Sequence, residues 1–138
     1  MRHSPFEFRH SHILSILFVF TTVAQSQLPT KPAPHLIKLN MKSTAYQHVL
    51  GGSGESSTMR SGLVTLAPGK SVGKHNTEKY EEMVVVLQGT GTMKITGADS
   101  LKLQAWSAAY CPSHTEHDVW NTGTDTLRYI YIVAESKK

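Results

Sequence analysis

Between Gly69 and Gly89 the sequence GKSVGKHNTEKYEEMVVVLQG places one histidine, His75, a carboxylate pair, Glu81 and Glu82, and an apolar run within 21 residues. The β-branched residues of Val84-Val85-Val86-Leu87 argue for a buried strand, which both glutamates enter. Successive strand side chains point to opposite faces. One glutamate therefore shares its face with Val84 and Val86, and the other with Met83, Val85 and Leu87. Both faces are apolar, and a carboxylate on either is costly unless something cationic meets it. The nearest partner upstream is His75, with Thr77 two residues on and on the same side. A metal ion would satisfy both His75 and a glutamate.

A second stretch, Trp106 to Asn121, joins a strand, a turn at Pro112 and another strand that carries His117, Val119 and Asn121 on one face. Taken alone, a histidine beside a valine is more often a satisfied core residue than a ligand. His114 lies three residues earlier, in the turn.

The elements that must position these residues are short strands. Strand-like runs occur at Leu36 to Met41, Ala45 to Leu50, Thr58 to Leu66, Tyr80 to Leu87, Thr92 to Thr96, Leu101 to Leu103, Ala108 to Cys111, His117 to Asn121 and Leu127 to Val133. Gly51-Gly52-Ser53-Gly54, Ala67-Pro68-Gly69, Gly89-Thr90-Gly91, Gly97-Ala98-Asp99 and Asn121-Thr122-Gly123 supply turns between them, and no window carries a 3.6-residue period. Many short strands at this spacing specify an all-β sandwich or barrel. The run from Leu127 to Val133 is largely apolar on both faces, which predicts a central strand. Its Tyr129 and Tyr131 either line a pocket or pack a core, packing being the commoner role.

At 138 residues the chain is one domain at most, and 39% hydrophobic with 17% charged residues is ordinary for a soluble globular protein. Arg2, Arg9 and three histidines precede the apolar run Ile13 to Phe20, after which small and polar residues follow. This order reads as a signal peptide over residues 1–26, cleaved after Ala24 or Ser26, and so predicts export to a periplasmic or extracellular space with no stable membrane insertion after cleavage. Residues 27–34, with Pro29, Pro32 and Pro34, suit an extended tether, leaving 35–138 as the domain. From residue 27 onward there are 12 Lys and Arg against 9 Asp and Glu, a net +3 with the basic residues spread singly. Nucleic acid is therefore not an expected partner. Cys111 is the single cysteine, so the fold has no disulfide; the residue is either a free or intermolecularly bridged thiol or, more simply, buried.

Together the two stretches resemble the paired motifs of the cupin superfamily, small single-domain barrels that close two antiparallel sheets into a jelly roll, also called a double-stranded β-helix. In the first motif Gly69, His75, Glu82 and Gly89 fall on the family pattern, with Thr77 where a second histidine is expected. In the second, Pro112, His117 and Asn121 are in register, while Trp106 and His114 replace glycines. The resemblance implies that His75, Glu82 and His117 bind a divalent first-row metal (Fe, Mn, Ni or Zn) inside the barrel, and it selects Glu82 over Glu81, which strand parity alone cannot do. His75 and Glu82 are an odd number of positions apart, so both face inward only if the chain bends, with Glu78-Lys79-Tyr80 the expected place. The alternative is a metal-free cupin in which the three side chains bond to one another or to water.

Two imidazoles and a carboxylate leave coordination positions open, as in non-haem iron oxygenases and hydrolytic zinc sites. Thr77 would border an open position, or simply fill a strand; His114 would be a general base at the barrel mouth, or an exposed turn histidine with no role. The resemblance thus implies a metal-dependent oxygenase, lyase or isomerase acting on a small polar molecule. The alternatives are a non-catalytic module binding a small ligand, metal-bound or metal-free, and a scaffold that binds partners. No G-x-S-x-G nucleophile motif or P-loop is present. The strands apolar on both faces also predict a homodimer, since one small barrel has a single interior.

Overall fold

The computed structural model describes residues 31–52 and 54–136; the expected signal peptide lies outside them. Among the described residues there are nine strands: β1 (Gln47–Leu50), β2 (Arg60–Leu66), β3 (His75–Asn76), β4 (Tyr80–Gln88), β5 (Thr90–Ile95), β6 (Leu101–Gln104), β7 (Ser107–Cys111), β8 (Glu116–Trp120) and β9 (Leu127–Glu135). They form two antiparallel sheets, in the orders β1-β2-β9-β4-β7 and β3-β8-β5-β6. This is the all-β jelly roll. As the apolar patterning predicts, β9 is the central strand of the larger sheet.

Alternation decides which side chains meet between the sheets. Val84 and Val86 of β4, Leu127 and Tyr129 of β9, Met93 of β5 and Val119 of β8 are fully or nearly fully buried and pack in one core with Leu66, Leu103, Ala109 and Cys111. Met83, on the other face of β4, is 43% exposed. Cys111 is a free, buried thiol that packs in this core.

Two expected elements differ. Leu36 to Met41 is not a strand, and Leu36 is 83% exposed. At the end of this run the chain doubles back at Asn40, whose side chain accepts from the Lys42 N–H and whose N–H and carbonyl are both taken by the Gln47 amide. Conversely, His75–Asn76 is a two-residue strand, too short to leave a periodic trace, held by pairing with β8. The expected three-residue turn after β4 contracts to Gly89, at φ +81°, where a Cβ would lie 2.5 Å from the Thr126 carbonyl oxygen.

Candidate metal centre

The chain crosses from one sheet to the other between His75 and Glu82. The crossing uses Glu78, in the left-handed region at φ 51°, within a turn closed by the Tyr80 N–H donating to the Thr77 carbonyl at 2.9 Å. The bend therefore falls within the expected Glu78-Lys79-Tyr80 segment, and it lets residues of opposite parity face one interior.

On the smaller sheet His75 and His117 are cross-strand partners, with ring centroids 4.3 Å apart. On the facing sheet Glu82 points inward with Val84 and Val86, whereas Glu81 points outward and accepts a hydrogen bond from the Tyr110 hydroxyl at 2.9 Å. Glu82 Oε2 is 3.2 Å from His117 Nε2 and 3.8 Å from His75 Nε2. One donor atom from each of the three residues lies within 4.8 Å of the others. Neighbouring donors on a first-row ion, at bonds of 2.0–2.2 Å, sit about 3 to 3.5 Å apart.

The environment of each imidazole directs Nε2 inward. His75 Nδ1 lies 2.9 Å from the Gly73 carbonyl and His117 Nδ1 lies 3.4 Å from the Thr115 carbonyl; a ring nitrogen donating to a carbonyl leaves the other nitrogen as an acceptor or ligand. His117 Nε2 is buried and lies 3.2 Å from Glu82 Oε2. A buried imidazole nitrogen and a buried carboxylate this close need a shared proton or a shared cation between them. Burial alone would lower the pKa of His117, but the adjacent Glu82 carboxylate outweighs it and raises the net value. Burial, and then the charge of Glu82, push the Cys111 thiol up, so it stays protonated; its sulfur lies 3.5 Å from His117 Nδ1, on the ring edge away from the cluster.

His75 and Glu82 open onto a cavity of about 380 Å³ whose wall also includes Arg60, Thr77, Tyr80, Tyr129 and Tyr131. Both tyrosines of β9 are thus pocket-lining as well as packing, the rarer of the two expected roles. Burial raises the pKa of both phenols, that of Tyr131 to about 12 with help from its hydrogen bond to Tyr46, so both remain neutral. Arg60 is a charged wall residue that the motifs do not signal. Its only trace in the sequence is parity: it alternates with Gly62, Val64 and Leu66 on the inward face of β2.

The other two predicted residues are placed apart from the His75-Glu82-His117 cluster. Thr77 is buried on the cavity wall, but its hydroxyl is already engaged, donating to the Pro112 carbonyl at 2.8 Å and accepting from the Thr115 N–H at 2.9 Å. His114 is exposed and does not line the cavity; its N–H donates to the Glu78 carbonyl at 2.7 Å. His114 and Trp106 both have positive φ, 58° and 65°, so each non-glycine residue keeps the backbone shape of the glycine it replaces.

Two antiparallel sheets enclosing a cavity onto which a His-Glu-His cluster opens define a small jelly-roll barrel. The family model described as "Cupin domain" matches residues 62–133, and the chain belongs to the cupin family. Among solved structures, a predicted oxalate decarboxylase from Thermotoga maritima is 25% identical, with 66% of this chain and 79% of that one covered and a TM-score of 0.61. A protein from Bacillus halodurans is 18% identical, covers 79% of this chain and 88% of its own, and superposes with a TM-score of 0.64. An RmlC-like cupin family protein from Methanocaldococcus jannaschii, with a double-stranded β-helix fold, is 13% identical over 74% of this chain and 91% of its own, at a TM-score of 0.61. These last two are likenesses of fold. No curated protein shows a significant sequence match.

Proposed function

We propose that this cupin is a metal-dependent enzyme in which His75, Glu82 and His117 hold one divalent first-row ion, and that it acts on a small polar molecule admitted to the adjoining cavity. The observation that carries the reading is the convergence of His117 Nε2, His75 Nε2 and Glu82 Oε2, one donor atom from each within 4.8 Å of the others. A scaffold has no need of this cluster. When bound, the ion would supply Lewis-acid or redox chemistry to a substrate oxygen. The chain's own residues do the rest: the Gly73 and Thr115 carbonyls orient the imidazoles, Glu82 supplies negative charge, and Tyr129 and Tyr131 give the cavity apolar walls with neutral phenol tips.

The reading includes export by the N-terminal leader and pairing of two copies. In support of pairing, Met83 and Tyr110 are cross-strand neighbours on the outer face of the larger sheet, and both are exposed. The test is to load purified protein with Fe(II), Mn(II), Ni(II) or Zn(II), measure stoichiometry, and follow turnover of small acids, phenols and sugars. One ion per chain with turnover by at least one form is expected. Protein that takes up no ion overturns the metal reading; a loaded protein that binds a small molecule without turnover is a binding module instead.

A further inference from the structure

Arg60, the solvent-exposed first residue of β2, lines the wall of the cavity onto which the His75-Glu82-His117 cluster opens. Across the larger sheet Arg60 pairs with Val133, and Val133 pairs with Glu82, so Arg60 and Glu82 stand in one row on the same face with a single strand between them. Two strand spacings set their backbones about 10 Å apart. The Arg60 guanidinium reaches back over the Tyr80 ring, its Cζ 4.4 Å from the centroid, and Tyr80 is two residues from Glu82 on β4. Stacking on an aromatic face fixes the plane of a guanidinium while leaving its N–H edge free. Among the described residues that edge has neither an ion pair nor a side-chain hydrogen bond. The nearby cation Lys79, in contrast, is already paired with Glu135 at 2.8 Å.

A pre-oriented, unpartnered guanidinium on a cavity wall is a fork for a carboxylate. We propose that Arg60, held by Tyr80, anchors one carboxylate of a small organic acid whose other end reaches the His75-Glu82-His117 cluster. The cavity suits a molecule of this size, and its chemistry suits this charge. Arg60 and Glu78 on the wall offset each other, while a divalent ion outweighs Glu82, leaving the loaded cavity net positive. Without the ion Glu82 opposes an anion, so loading should tighten acid binding. The assignment rests on the reading of this cavity as a small-molecule site, but its charge recognition is measurable whether or not an ion is bound.

Malonate, succinate and glutarate, with the neutral isosteres malonamide and succinamide, are titrated by isothermal calorimetry into the purified protein, both metal-free and loaded with Zn(II). At least one diacid should bind, the diamides at least tenfold more weakly. Arg60→Gln should lower diacid affinity at least tenfold, and Arg60→Lys should recover part of it, since it keeps the charge and loses the fork. Unchanged melting temperatures show that the variants fold. Diamide binding as tight as diacid binding, equal diacid binding by wild type and Arg60→Gln, or no binding of any diacid overturns the proposal. Arg60-dependent binding in a protein that takes up no ion upholds it and sinks the metal reading alone; stoichiometric ion uptake with Arg60-independent binding does the reverse.

Discussion

His75 and His117 oppose each other in the two-residue ladder between β3 and β8, with rings 4.3 Å apart and tilted by 57°. That ladder brings a histidine from the first sequence stretch onto the same wall as one from the second. Glu82 then meets both from the facing sheet.

If the three converge on an ion, their contributions are separable from that of the neighbouring carboxylate. Glu82→Gln and His117→Ala should each weaken Zn(II) binding by at least about 100-fold, more than the loss expected of a residue that merely supports a ligand. Glu81→Gln, on the outer face and bonded to Tyr110, should leave it unchanged. Competition against a chelator of known affinity measures all three. Equal loss in the Glu81 and Glu82 variants would contradict the geometry.

The protonation of His117 gives the metal-free protein a stability that depends on pH. Its pKa is raised in the fold by Glu82, so the stabilisation is fully present below the ordinary histidine value of about 6.5 and is lost as pH rises through the higher folded value. Metal-free wild type should therefore lose stability relative to Glu82→Gln as pH is raised from the acid side to about 8.5. Zn(II) affinity should move the opposite way, increasing as the proton leaves. Urea melts across the range check the first; a wild type and variant that stay parallel would rule out the coupling.

Much of this arrangement was legible in the residues themselves. The apolar runs and glycine turns predict most strands and the central place of Leu127 to Val133, because alternation over five or more residues leaves a strong trace. The inward choice of Glu82 needed the family pattern, since both faces of β4 read as apolar; only the fold shows that Met83 is exposed and Val84 is not. Strand β3 was illegible, since two residues carry no period and its partners, His117 and Glu116, lie 42 and 40 positions away. Arg60 was hidden for a related reason: its importance depends on a row across three strands, and a sequence shows one strand at a time.

Tyr46 and Gly62 make a contact that no motif signals. A Cβ on Gly62 would fall 2.5 Å from the Tyr46 ring, which crosses there to stack near Tyr131 and share a hydroxyl hydrogen bond of 2.9 Å. Gly62→Ala should cost about 1–3 kcal/mol, the usual range for overpacking. In a Tyr46→Ala background the same change should be nearly neutral, because the obstructing ring is gone. Thermal melts of the four proteins complete the cycle, and an undiminished cost in that background would locate the strain elsewhere.

Thr77 stands where the family pattern has a histidine, and its hydroxyl ties the turn before β4 to the turn before β8. It donates to Pro112 and accepts from Thr115, while the Thr77 N–H donates to the Thr115 carbonyl at 3.1 Å. That carbonyl is also the acceptor facing His117 Nδ1. Thr77→Val keeps the shape but strands the Pro112 carbonyl and the Thr115 N–H, at a cost of about 1–3 kcal/mol for a buried group left unpaired. Loosening Thr115 should also free the His117 ring and weaken Zn(II) binding, whereas a hydroxyl that served only substrate would leave metal affinity untouched. Thr77→Ser, which retains the oxygen, should restore most of both losses. Chelator competition and thermal melts on the two variants decide between the roles: a Thr77→Val protein as stable as wild type with full metal affinity would return the hydroxyl to the cavity and its ligand.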